Sequence, residues 1–196
     1  EVLSDGTIKS LVPDGLNWPL GLATDSNGLL FVADGGFTYW LQPGGELQPA
    51  GMLFTPGFPG YTRGVTSIGS GDYIVTTANG QVAHWSPAKQ EHQVLAEGYD
   101  QLYGIAVSST GVAVFAEKGT GCIHSVHTGL TETLARDLQG PCGVCFSEDH
   151  CLVSEEDAGR VVRLTQGGVD TVLDDLQKPQ GILVRDNMLY VVDTGA

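Results

Sequence analysis

Basic residues are scarce in this chain: nine Lys and Arg stand against 23 Asp and Glu, for a formal net charge of −14. That shortage argues against sequence-independent binding to nucleic acid, which needs clustered Lys and Arg, and against docking on anionic membranes. No apolar run approaches the roughly 18 residues of a membrane span. Glu1 opens no signal peptide, so a soluble chain is expected, with no compartment assigned. Apolar residues nowhere recur at i, i+3, i+4, i+7, which removes amphipathic helices. Nucleophile elbows, phosphate-binding loops and His-Glu-x-x-His zinc motifs are also missing. What remains is a chain with 16% charged and 41% apolar residues, a balance that favours a packed core over disorder. Its 196 residues suit one domain over 1–196, burying roughly 70% of the unfolded surface.

Glycine is abundant, and its positions repeat. Five segments carry a Gly followed by an apolar residue: Pro19-Leu20-Gly21-Leu22, Thr62-Arg63-Gly64-Val65, Leu102-Tyr103-Gly104-Ile105, Pro141-Cys142-Gly143-Val144 and Pro179-Gln180-Gly181-Ile182. These anchor glycines lie 43, 40, 39 and 38 residues apart, the spacing of a four-stranded propeller blade. Each anchor opens a short run, a turn and a second run. The turns are Ser26-Asn27-Gly28, Ser70-Gly71-Asp72, Ser109-Thr110-Gly111, Glu148-Asp149-His150 and Asp186-Asn187, residues that tolerate the positive φ of hairpins. The second runs (29–33, 73–76, 112–116, 151–154 and 188–192) are short, β-branched and aromatic, which favours strand. The expected fold is therefore all-β, a propeller with blades starting near 17, 60, 100, 139 and 177.

Residues 2–12, with a turn at Ser4-Asp5-Gly6, read as the outer half of a blade, and residues 178–196 as an inner half. Joining them would complete a fifth blade and close the ring, removing its open edges. Five closed blades are thus expected, with part of a six-bladed ring as the alternative.

The wording of the blades resembles the NHL-repeat propellers, most clearly Pro179-Gln180-Gly181-Ile182 with Leu189-Tyr190-Val191-Val192-Asp193-Thr194-Gly195. Gly104-Ile105-Ala106-Val107 with Val114-Phe115-Ala116-Glu117-Lys118-Gly119 looks more like the streptogramin-lyase branch. Trp18-Pro19-Leu20-Gly21-Leu22-Ala23 with Leu30-Phe31-Val32-Ala33-Asp34-Gly35-Gly36 is similar to the SMP-30/gluconolactonase branch. The resemblance implies a propeller and leaves lactonases, lyases and interaction modules all in view, because fold does not fix function. The SMP-30 branch implies a divalent metal held partly by an acidic residue near the first inner strand, where this chain has Asn17-Trp18-Pro19. The lyase branch implies particular histidines, whereas His84, His124 and His127 fall on third strands and His150 in an inner hairpin turn.

The second strands end in register at Asp34, Thr77, Glu117, Glu155 and Asp193, 12 or 13 residues after their anchors. In a propeller these positions meet around one axis, with Glu156 and Asp157 close by. Converging carboxylates would have raised pKa values or attract a cation, so Asp34, Glu117, Glu155 and Asp193 are candidate ligands for Ca²⁺ or Mg²⁺. The alternative needs no cofactor: each carboxylate caps its own following loop by accepting backbone N–H groups. A second ring precedes the anchors: Leu20, Arg63, Tyr103, Cys142 and Gln180. It varies from blade to blade, as a ligand-reading surface would. Arg63 suits an anionic group or an ion pair with Glu117 or Asp34. Trp18, Tyr61, Tyr99 and Tyr103 precede or enter inner strands and would rim the same funnel. The first unit also carries a long insertion with Phe37, Tyr39, Trp40, Met52, Phe54 and Phe58, an exposed subset of which would bind a partner.

Cys142-Gly143-Val144-Cys145 has zinc-like spacing, but positions i and i+3 on a strand face opposite ways. Buried free thiols at Cys122, Cys142, Cys145 and Cys151 are expected, with a Cys145–Cys151 pair as the alternative. Two functions stay open: a binding or scaffolding propeller for a protein partner or small molecule, working alone or as one domain of a larger protein, or a metal-dependent lactonase or esterase with Arg63 polarising the substrate.

Overall fold

The computed structural model describes residues 3, 5–12, 14–25, 28–42 and 44–195. Its regular structure is almost entirely antiparallel β. The first sheet comprises β1 (Pro19–Thr24), β2 (Leu30–Asp34), β3 (Phe37–Leu41) and β4 (Leu47–Met52). The second comprises β5 (Thr62–Gly69), β6 (Asp72–Thr77), β7 (Gln81–Ser86) and β8 (Glu91–Glu97). The third holds β9 (Leu102–Val107), β10 (Ala113–Glu117), β11 (Cys122–His127) and β12 (Leu130–Ala135). The fourth holds β13 (Pro141–Ser147), β14 (His150–Glu155), β15 (Arg160–Thr165) and β16 (Gly168–Leu173). A two-stranded sheet of β17 (Pro179–Arg185) and β18 (Met188–Asp193) follows.

Each sheet is a simple meander, because every connection is a short turn whose residues accept positive φ, as at Ser70, Glu148, Asp186 and Asn187. The Ser26-Asn27 part of the first expected turn lies outside the described residues. The inner strands lie side by side in sequence: β1 against β5, β5 against β9, β9 against β13 and β13 against β17.

Second strands β2, β6, β10 and β14 are buried along nearly their whole length; β6, β10 and β14 have a neighbouring sheet on either side, and β2 packs against the second sheet. That is why their sequences are apolar without alternation. The aromatic core between the first two sheets stacks Phe31 on Tyr73, with Trp85 edge-on to Phe31 and Phe58. By contrast β18 alternates between exposed and half-buried although its sequence is equally apolar, because only one of its faces is covered.

The anchor glycines explain the radial packing. A Cβ on Gly104 would stand 2.5 Å from the Cys142 carbonyl oxygen and 2.9 Å from the Val144 nitrogen. Gly21, Gly64 and Gly143 meet the carbonyls of Arg63, Tyr103 and Gln180 in the same way. None of the four has positive φ, so close approach of the next inner strand, and not turn geometry, is what requires glycine. In the second and fourth sheets a hydroxyl bridges the seam: the Gly64 N–H donates to Thr76 Oγ1, which donates to the Tyr103 carbonyl. The Gly143 N–H, Ser154 Oγ and Gln180 carbonyl repeat it.

The expected composite fifth blade is not formed among the described residues. β17 and β18 pair only with each other, and Gly181 has only Val192 within 4 Å of its Cβ position, at 3.7 Å. A closed five-blade ring would bring the Leu20 carbonyl there. Leu3–Thr7 does make the expected turn, held by Asp5, but the segment then runs beside the first sheet, where the Leu11 carbonyl abuts Gly45 and Leu47 abuts Gly15. Val2 and Ser4 of that expected strand pair lie outside the described residues.

Gly104→Ala should cost about 2–3 kcal/mol, because a rigid backbone carbonyl cannot move aside for the methyl. Gly181→Ala should change stability by less than about 0.5 kcal/mol. Urea midpoints of the two variants check the contrast.

Candidate functional site

The axial ends of the second strands and the starts of the inner strands form one surface. Its carboxylates have definite partners. Asp34 accepts the N–H groups of Asn17 and Trp18. Glu117 accepts the Asp100 N–H at 2.7 Å, and Glu155 the Gln139 N–H at 2.7 Å. Asp193 accepts those of Gln177 at 2.9 Å and Lys178 at 2.6 Å. All six donors belong to the loop entering the same sheet, about 16 residues back, and not to the loop that follows the carboxylate. The rule that Asp and Glu seek nearby N–H groups holds, but hairpin geometry brings the entry loop closer. Glu155 also receives Arg160 Nε at 2.6 Å. Thr77, the member without charge, instead bonds Asn79 and the Gln81 carbonyl.

Repulsion was expected to raise these pKa values, and for two of them the shift runs the other way. The Gln177 and Lys178 amides hold Asp193 below the usual Asp range. Burial alone would raise Glu117, but hydrogen bonds from Thr120, the Asp100 amide and His124 outweigh it and leave the carboxyl lowered. Among the described residues the one trio of His, Cys, Asp or Glu side chains with ligand atoms within 4.8 Å of one another is Glu117, Cys122 and His124. Of the four expected ligands only Glu117 belongs to it. Among the described residues no three of these four carboxylates are gathered into one ligand cluster. Asn17 brings no carboxylate, and both oxygens of Asp34 face loop amides.

The second ring is better placed for recognition. Arg63, half-buried on β5, lays its guanidinium over the Tyr103 ring at 4.9 Å from the centroid and donates Nη1 to the Leu102 carbonyl at 3.2 Å. The expected ion pair with Glu117 or Asp34 is absent, and Arg63 has no carboxylate within 4.0 Å among the described residues. Lys118, which the sequence did not single out, lies 5.4 Å from the same ring centroid and pairs with Glu156 at 2.8 Å. Gln180 presents its carbonyl to Ser154, and Leu20 is exposed.

Trp18 is 71% exposed and Tyr61 54% exposed, and they flank the Gly35-Gly36 turn. Beside them an open cleft of about 390 Å³ is lined by Leu53, Gly60, Tyr61, Ala78 and Asn79. Tyr99 is not a rim residue: it packs edge-on to Phe115 and against His124, because this inter-sheet pocket buries its ring. From the first-unit insertion, Trp40 and Phe58 join the core, while Phe37, Met52 and the 94%-exposed Phe54 stay outside. The four cysteines are free and buried; burial pushes the Cys142 and Cys145 thiols up to about 11 and Cys151 to about 12.

No family model and no curated sequence matches the chain. Solved structures do. A gluconolactonase from Xanthomonas campestris superposes with a TM-score of 0.76 at 16% identity, over 92% of this chain and 71% of that one. The likeness shows the fold of this chain, a β-propeller. A chain of the nidogen/laminin complex aligns with a TM-score of 0.76 at 18% identity, over 89% of this propeller and 72% of the other chain. An auxiliary nutrient binding protein from Bacteroides ovatus gives 0.74 at 15% identity, over 93% and 58%. The propeller thus spans between 58% and 72% of the length of these three chains. Among its described residues no helix is long and apolar enough to cross a membrane.

The Asp193 cap gives a pH prediction. Its folded pKa is depressed, so its contribution to stability is present above the unfolded Asp value of about 3.9 and disappears as pH falls through the lower folded value. The urea-midpoint gap between the native chain and Asp193→Asn should be largest near neutral pH and close by about pH 2.

Proposed function

We propose that this propeller is a binding module whose axial surface takes a ligand or partner carrying an anionic group. Arg63 is the residue that supports the reading. A guanidinium stacked on an aromatic face, with one bond to a backbone carbonyl and no acid beside it, keeps most of its donor fork for a carboxylate or phosphate. In a chain of net charge −14 such a cation selects locally, against a repulsive background. Trp18, Tyr61 and Leu20 would supply apolar contact around that charge, with the cleft at Leu53 and Asn79 seating the remainder. The nutrient binding protein and the nidogen/laminin complex are propellers of this architecture in binding roles by their names.

The gluconolactonase likeness keeps one competing function: a lactonase using Ca²⁺ or Mg²⁺ at Asp34, Glu117, Glu155 and Asp193. Calorimetric titration with either ion, together with a δ-lactone hydrolysis assay, separates the two. The binding reading expects no saturable uptake of Ca²⁺ or Mg²⁺ at millimolar concentration and no turnover above background. It also expects phosphate or a dicarboxylate to raise the melting temperature of the native chain but not of Arg63→Gln. Metal-dependent turnover abolished by Asp34→Ala would overturn it.

A further inference from the structure

The Glu117, Cys122 and His124 trio lies on one β-hairpin, with Glu117 at the axial end of β10. Glu117 ends β10 and Cys122 starts β11; they are directly paired across the strands, with the tight turn 118–121 between them. His124, two residues further on, points to the same side of the sheet. The ligand atoms of the three, a carboxylate oxygen, a thiol sulfur and an imidazole nitrogen, lie within 4.8 Å of one another. His124 Nε2 stands 2.8 Å from Glu117 Oε2, and its Nδ1 stands 3.2 Å from Thr133 Oγ1 on β12. Thr120 Oγ1 donates to Glu117 Oε2, and the Cys122 thiol points to the Thr120 carbonyl at 3.6 Å. All three side chains are less than a tenth exposed.

We infer that this hairpin is a binding site for a thiophilic divalent ion, Zn²⁺ by ligand type, held by Glu117 Oε2, Cys122 Sγ and His124 Nε2. One sulfur, one imidazole and one carboxylate suit zinc and disfavour Ca²⁺ and Mg²⁺, which take oxygen ligands. Thr133 is the partner that orients a metal-bound imidazole through its second nitrogen. Comparison with the fourth sheet supports a cation at this position. In the fourth sheet the matching carboxylate, Glu155, is paired across the hairpin with Arg160 and bonded to it. In the third sheet that cross-strand position is Cys122, and the buried Glu117 has no Lys or Arg within 4.0 Å among the described residues. An ion between the three side chains takes the place that the guanidinium fills next door. The step balances simply for a neutral imidazole. The Cys122 thiol releases its proton to solvent, the His124 proton moves from Nε2 to Nδ1 facing Thr133, and Nε2, Sγ and Oε2 bond the ion with no change of oxidation state. The Thr120 hydroxyl flanks the fourth side.

The test is titration of the full chain with Co²⁺ as the spectroscopic stand-in, followed by competition with Zn²⁺. One equivalent should bind with a thiolate-to-cobalt charge-transfer band and the visible bands of four-coordinate cobalt, and Zn²⁺ should erase both. Cys122→Ser should remove the charge-transfer band while leaving the far-ultraviolet circular dichroism of the native chain. His124→Gln should abolish stoichiometric binding, and Thr133→Val should weaken it about tenfold. If His124→Gln does not fold, Cys122→Ser decides alone. A native chain that shows no cobalt spectrum at one equivalent, or a charge-transfer band that survives in Cys122→Ser, would overturn the assignment. The outcome is independent of the Arg63 reading, which uses other residues.

Discussion

The close passage of one inner strand's carbonyl over the preceding sheet's anchor glycine sets the spacing of this molecule. At Gly21, Gly64, Gly104 and Gly143 no side chain fits between strands, so neighbouring sheets meet backbone to backbone at the hub and diverge outward. The second strands β6, β10 and β14 are then sandwiched, and they and β2 are buried along nearly their whole length. Nonspecific hydrophobic burial drives the collapse, but the glycine contact determines that it is radial. The hydroxyl bridges at Thr76 and Ser154 satisfy the buried polar groups this approach creates, which would otherwise each cost about 1–3 kcal/mol.

That geometry also decides what the carboxylates do. Ending each second strand at the hub places Asp34, Glu117, Glu155 and Asp193 beside the loop that enters the same sheet, and one or two amides of that loop donate to each. A carboxylate accepting backbone N–H groups has little to offer a hard cation. Carboxylate charge at the axis is therefore engaged first by the fold, and the residues we propose for anion recognition are those on the inner strands, Arg63 above all.

Much of this was legible in the sequence, because a repeat writes its constraints several times over. The anchor glycines, the 12- to 13-residue offset to the carboxylates and the described turn residues fell where strand pairing puts them. Closure by the termini was not, since a period near 40 says how sheets follow one another but not whether the first meets the last. Tyr99 misled for a related reason: its place before an inner strand resembles that of Tyr61, yet it sits over the pocket between Phe115 and His124. The metal trio escaped because Cys122 was weighed with the other thiols. Only the register pairing Glu117 with Cys122 reveals it, and the available signal was a carboxylate five residues before Cys-x-His across a tight turn.

Amide hydrogen exchange at neutral pH tests the central claim, that hub carboxylates are committed to entry-loop amides, most directly. The N–H groups of Trp18, Asp100, Gln139 and Lys178 should exchange slowly for residues in exposed connections, with Gln139 losing its protection in Glu155→Gln. Rapid exchange at all four in the native chain would mean that the carboxylates are turned away from these loops, and the account of the axial surface would be contradicted.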